Sequence, residues 1–249
     1  MGKTKKQVIL VFLYRILGLL VSITAITLQL FTNKNIGKGF MANHVLAYFT
    51  IQTNILSALL FLYLVVKTIV ISIKNKQMTI VFFKPTIEVA VTLYITITML
   101  VYWLALAPML GIQTEPLPFF NTLFLHTLTP IFTIIEYIFF CEHGKLNRYD
   151  PLKWLAYPIF YLILVVIIAN TSNVPYYQFP FKGEKIPLMY PYPFLEPKIV
   201  GVGGVVGIVI GLIVVFLALA YLYIFIDNKI KKHKDKKKEK IEIINNEEN

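Results

Sequence analysis

The chain has 249 residues, of which 57% are hydrophobic and only 15% charged, with a mean hydropathy of +0.69. A soluble domain is roughly 45–50% apolar with about a quarter of its residues charged, so this composition excludes an ordinary soluble protein. The net charge of +11 gathers largely in a C-terminal lysine run and needs no nucleic-acid partner, and the single cysteine, Cys141, excludes an internal disulfide framework or a cysteine-based metal cluster.

Six apolar runs approach or exceed the ~20 residues that a helix rising 1.5 Å per residue needs to cross a ~30 Å hydrocarbon layer. They lie near residues 8–31, 45–66, 89–110, 119–141, 154–170 and 199–226. Barrel strands would be shorter and alternate in polarity. The expected fold is therefore all-α, a bundle of six transmembrane helices in one domain, 1–226, followed by a basic tail, 227–249, expected to be disordered.

The first run follows "MGKTKK" and resembles a secretion signal, but it is too long and no small-residue cleavage site follows, so it is expected to stay as a span. It carries Arg15 about two turns in. The second contains "AYFTIQTNIL", where Thr50, Thr53 and Asn54 fall at i, i+3 and i+4 and so share one helix face. Glu88 stands at the entry of the third. The fourth, "FFNTLFLHTLTPIFTIIEY", holds His126, Pro130 one turn later, and Glu136 near its far end. Pro130 removes a backbone donor and is expected to loosen the helix beside His126. Before the sixth run lies "TSNVPYYQFPFKGEKIPLMYPYPFLEPK", whose prolines and aromatics predict an ordered cap rather than a linker. Gly203, Gly207 and Gly211 share one face of the sixth, a spacing that lets another helix approach closely.

The lysines set the direction. With the N-terminus inside, seventeen basic residues fall in inner segments and five in outer loops, so both termini are expected to be cytoplasmic, in the cell membrane. The tail "NKIKKHKDKKKEKIEIINNEEN" reads either as attraction to anionic lipid headgroups or as a solvated stop-transfer segment.

Once the spans have directions, distant residues acquire comparable depths. Thr50 lies about 9 Å along its helix from His44, and His126 some 10 Å below the outer end of span four, which puts both in the outer leaflet. Near the inner surface, Arg15, Glu136 and Glu88 form a second polar level. A charge in hydrocarbon costs at least ~2.5 kcal/mol, so such groups pair or face a cavity. Arg15 with Glu136 is the preferred pair and Glu88 the competitor, with a structural ion pair set against a proton or substrate path.

"FTIQTN", "NTLFLHTLTPIFTIIEY" and "YPYPFLEP", in this order and separation, resemble the androgen-induced family of integral-membrane hydrolases and its small bacterial relatives. Arg15, the offsets from His126 to Pro130 to Glu136, and the run from Tyr192 to Glu196 agree as well. The resemblance implies an intramembrane threonine hydrolase that cleaves fatty acid esters of hydroxy fatty acids, with Thr50 as nucleophile and His126 as its histidine. One departure stands out: animal members carry Asn or Asp three residues after the threonine, where this chain has Thr53 and then Asn54.

The chemistry is coherent without the resemblance. A threonine hydroxyl needs a base within reach, and a histidine buried in hydrocarbon tends to be neutral and able to accept a proton. An oxyanion needs preorganised donors; Asn54, Thr53, Gln52, Asn121 and Tyr48 are the candidates for that role or for holding substrate. Membrane lipids and a lipid ester are the expected partners, and no cofactor is called for. A metal site would draw on His44, His126, Glu115 and Glu196, which lack ligand spacing; a transporter would need paired half-helices and midplane charges. The alternative kept is a non-catalytic protein that binds a lipid or other hydrophobic ligand in the same pocket.

Overall fold

The computed structural model describes residues 4–35, 45–111, 114–172 and 174–247. Among these residues six helices are long and apolar enough to cross a membrane: Lys5–Thr32, Phe49–Asn75, Pro85–Leu110, Pro116–Phe140, Asp150–Thr171 and Pro197–Lys237, referred to as spans one to six. This is the arrangement of a multi-pass membrane protein.

Span three is the central helix. In its most apolar window 61% of the residues are buried, against 11% for span six, which lies at the periphery. Its Val89, Leu93 and Tyr94 pack with Tyr137, Trp154, Phe216 and Tyr223 into the main core. Spans one and two meet where Gly18 faces Phe61: a Cβ built at Gly18 would stand 2.7 Å from the phenylalanine ring, so only glycine allows this approach.

Span two begins at Phe49 rather than near residue 45, because Tyr48 is extended (φ −78°, ψ 129°) and serves as the N-cap. That start places Thr50 in the first turn, where main-chain N–H groups have no carbonyl one turn back to bond.

Spans three and four each contain one π-helical turn, Tyr102–Leu106 and Phe124–Leu128, and each turn is followed two residues later by a proline, Pro108 and Pro130. A residue without an N–H cannot continue the ladder, and a π turn absorbs the fault. The Leu125 carbonyl accepts from the Asn54 side chain at 3.2 Å, and the His126 carbonyl accepts from the Trp103 indole N–H, also at 3.2 Å.

The segment before span six folds into an antiparallel hairpin, β1 (Tyr177–Phe181) and β2 (Glu184–Leu188). Lys182 (φ 51°) and Gly183 (φ 84°) turn it, both in the positive-φ geometry that two-residue hairpin loops require. Glu196, buried, accepts the Met189 N–H at 2.8 Å and ties the hairpin's exit to the start of span six. Among the described residues the fold is thus helical with one small hairpin.

Two features depart from expectation. The last helix does not stop near 226 but runs from Pro197 to Glu247, broken only at Gly201 (φ 72°). Lys and Glu are good helix formers, and a tail that grows from an existing helix avoids the nucleation step. The face carrying Gly203, Gly207 and Gly211 meets open space, so no helix of the described chain packs on it.

Candidate functional site

The structure brings Arg15 and Glu136 together at one end of the bundle. Nε and Nη2 of Arg15 both donate to Oε1 of Glu136, at 3.1 and 2.8 Å, and Nη1 donates to the Val81 carbonyl at 2.8 Å. Both side chains are buried. Glu88 makes no hydrogen bond to Arg15; it stands beside Cys141, within electrostatic range of the pair. Burial, then the nearby Glu88, holds the Cys141 thiol well above its ordinary range, so it stays protonated.

The same end contains a pair that sequence reasoning missed. His143 Nδ1 lies 3.0 Å from Asp227 Oδ1, and Asp227 Oδ2 accepts the Gly144 N–H at 2.8 Å. Together they pin the turn after span four to span six. The available signal was Asp227, an acid at the very end of an apolar run.

At the other end lies the level of Thr50 and His126. Most buried threonines here bond the carbonyl four residues back: Thr92 to Glu88, Thr96 to Thr92, Thr98 to Tyr94 and Thr133 to Thr129. Thr50, in the first turn, has no such helical carbonyl. Its hydroxyl instead lies 3.4 Å from the Tyr192 phenol, which also accepts the Thr50 N–H at 3.3 Å. The Tyr161 phenol accepts the neighbouring Phe49 N–H at 3.2 Å. Two phenols thus satisfy the free donors at the start of span two. Burial holds the Tyr192 phenol above its ordinary range, so it keeps its proton and can donate it.

His126 sits on the π turn of span four, with its ring stacked on Tyr102 from the facing π turn, centroids 3.7 Å apart and planes 13° from parallel. The Thr98 main chain lies within hydrogen-bonding reach of the ring, and Nδ1 is buried and makes no hydrogen bond among the described residues. Among the described residues no hydrogen bond joins Thr50 to His126. They are linked at one remove: Asn54 Nδ2 donates to the Thr50 carbonyl at 2.8 Å and to the Leu125 carbonyl at 3.2 Å, so spans two and four meet at this level. A second link runs from Thr53 through its hydroxyl contact with Thr98, at 2.8 Å, to the helix face beside His126.

The remaining candidates are engaged elsewhere. Gln52 donates to the Leu46 carbonyl and accepts from Tyr157, each at 2.8 Å. Asn121 donates to Gln29 at 2.7 Å. Tyr48 packs edge-on against Tyr176 and Tyr192. Glu115 is exposed, Glu196 is fixed in the hairpin exit, and His44 lies outside the described residues.

Thr50 opens onto a cavity of about 130 Å³ bounded by spans two, three, five and six and by the run before span six. Among the described residues Thr50, Thr98, Tyr161 and Tyr192 are its only polar lining; the rest are apolar, among them Leu106, Ile159, Leu162, Val209 and Ile213. His126 is not in the lining. It stands behind Thr98. Tyr192, whose only signal in the sequence is its place in the run "YPYPFLEP", is the group sequence reasoning missed at this site.

The chain finds no match among models of known protein families, among curated proteins or among solved structures.

Proposed function

We propose that this protein is an intramembrane lipid-ester hydrolase of the cell membrane, with both termini cytoplasmic and with Thr50 as nucleophile. The observation that carries the reading is the position of the Thr50 hydroxyl at a polar corner of an otherwise apolar cavity, beside a phenol that keeps its proton. An acyl chain occupies the apolar part and brings its ester carbonyl to Thr50. His126 lies outside the cavity, so span four closes on span two before the Thr50 oxygen attacks that carbon; on closure its proton passes to His126, and Tyr192 donates to the oxygen that becomes negative. The alcohol leaves with the proton from His126, and water then releases the acid from the threonine ester. Catalytic hydrogen bonds are often long without substrate, and the Asn54 bridge keeps spans two and four in register for the closure this step needs. The resemblance to the androgen-induced family supplies the substrate class, fatty acid esters of hydroxy fatty acids.

A second reading, a lipid-binding protein without turnover, is favoured by one observation: the Thr50 hydroxyl is partnered by Tyr192 and not by His126. Turnover of a fluorogenic long-chain ester by purified protein decides between them. Hydrolysis that disappears in both Thr50→Ala and His126→Ala, with binding of a non-hydrolysable ether analogue retained, supports the hydrolase. Binding of the ether with no hydrolysis by the wild type supports the second reading.

A further inference from the structure

Just beyond the Asp227 latch, the last helix continues as a rod outside the bundle. Lys229, Lys232, His233 and Lys236 fall on it at i, i+3, i+4 and i+7, which places them on one face. That face lines an open groove whose floor includes Ile138 and Phe139, the last apolar residues of span four before Phe140. Phe139 is 64% exposed.

The lysines of this face have no carboxylate partner among the described residues. Lys231, on the neighbouring face, pairs with Asp235 at 3.0 Å, and its chain lies against Gly144. Among the described residues Lys229, Lys232 and Lys236 form no ion pair; Lys229 lies 4.7 Å above the Phe225 ring. The result is an apolar floor at the edge of the hydrocarbon, with ammonium groups above it on a helix whose spacing is fixed. Such a combination matches an amphiphile with a negative headgroup, and a small anion alone would leave the floor unused.

We propose that this groove is a binding site for an anionic glycerophospholipid, its phosphate held among Lys229, Lys232 and Lys236 and its first acyl carbons on Ile138 and Phe139. The site is independent of the chemistry at Thr50, which lies at the opposite end of the bundle. It also gives the helical form of the lysine segment a purpose, since a flexible tail would attract anionic lipid without a defined seat.

The test is calorimetric titration of the full chain in neutral detergent with dihexanoylphosphatidylglycerol, dihexanoylphosphatidylcholine and inorganic phosphate. The glycerol lipid binds saturably, while the choline lipid and phosphate bind far more weakly. A variant with Lys229→Gln, Lys232→Gln and Lys236→Gln loses roughly a hundredfold in affinity, about fivefold for each lysine. A variant of equal charge, with the exposed Lys74, Lys76 and Lys145 changed to Gln, stays within about twofold because it removes only diffuse attraction. Equal losses in the two variants would overturn the proposal, and so would phosphate binding as tightly as the glycerol lipid, which would make the site one for free anions. Phe139→Ser separates the floor from the charges: it weakens the lipid and leaves the weak phosphate binding unchanged.

Discussion

Arg15 and Glu136 are 121 residues apart in sequence, yet one carboxylate oxygen of Glu136 accepts from two nitrogens of the Arg15 guanidinium. The third donor contact, to the Val81 carbonyl, ties the loop between spans two and three into the same cluster. Two charges removed from water are stable only as a pair with their remaining hydrogen bonds met.

Removing one partner therefore strands the other. Arg15→Met and Glu136→Gln are each expected to cost about 3–5 kcal/mol, and the double variant less than their sum. Thermal or denaturant unfolding in detergent of the four proteins reads the coupling; additive losses would show that the two residues act separately.

Asn54 bridges two carbonyls, one on span two and one left open by the π turn of span four. Asn54→Leu keeps the approximate volume and leaves both oxygens without that donor, so a loss of about 1–3 kcal/mol is expected. Ester turnover should fall further than stability alone accounts for, because the register of Thr50 against span four is released. Measured turnover at a temperature where the variant is fully folded separates the two effects.

Tyr192→Phe removes the hydroxyl that faces Thr50 and takes its N–H. Loss of one preorganised donor typically lowers kcat by roughly a hundred- to a thousandfold. KM should change little, since the ring that lines the cavity remains. A variant with kcat unchanged would remove Tyr192 from the chemistry.

How much of this was legible in the sequence follows from what each feature depends on. Arg15 and Glu136 could be matched because helical rise converts residue number into depth once the lysines give direction. The level shared by Thr50 and His126 followed from the same reckoning. Tyr192 could not be placed so, because it lies 142 residues from Thr50 in a segment whose course depends on a hairpin and a turn at Pro193–Leu195. The π turns left a trace in Pro108 and Pro130, but a proline alone does not say whether a helix bends, breaks or widens. The helical tail was missed because its charge resembles a disordered segment, while continuity with span six decides the outcome.

The direction of the bundle is tested by labelling. A cysteine at Ser172 in a Cys141→Ser background should react with impermeant maleimide added to intact cells, and one at Asn75 should stay protected until the membrane is opened. The opposite pattern would invert the topology that the lysine distribution implies.

The central claim is that Thr50 is a nucleophile, and covalent capture tests it most directly. A serine and threonine hydrolase probe bearing a long alkyl chain, incubated with the purified protein and followed by peptide mass spectrometry, should modify Thr50 and no other hydroxyl. Labelling should vanish in Thr50→Ala and fall sharply in His126→Ala. A wild-type protein that binds the probe's alkyl analogue yet is never modified at Thr50 would contradict the claim and leave a lipid-binding cavity in its place.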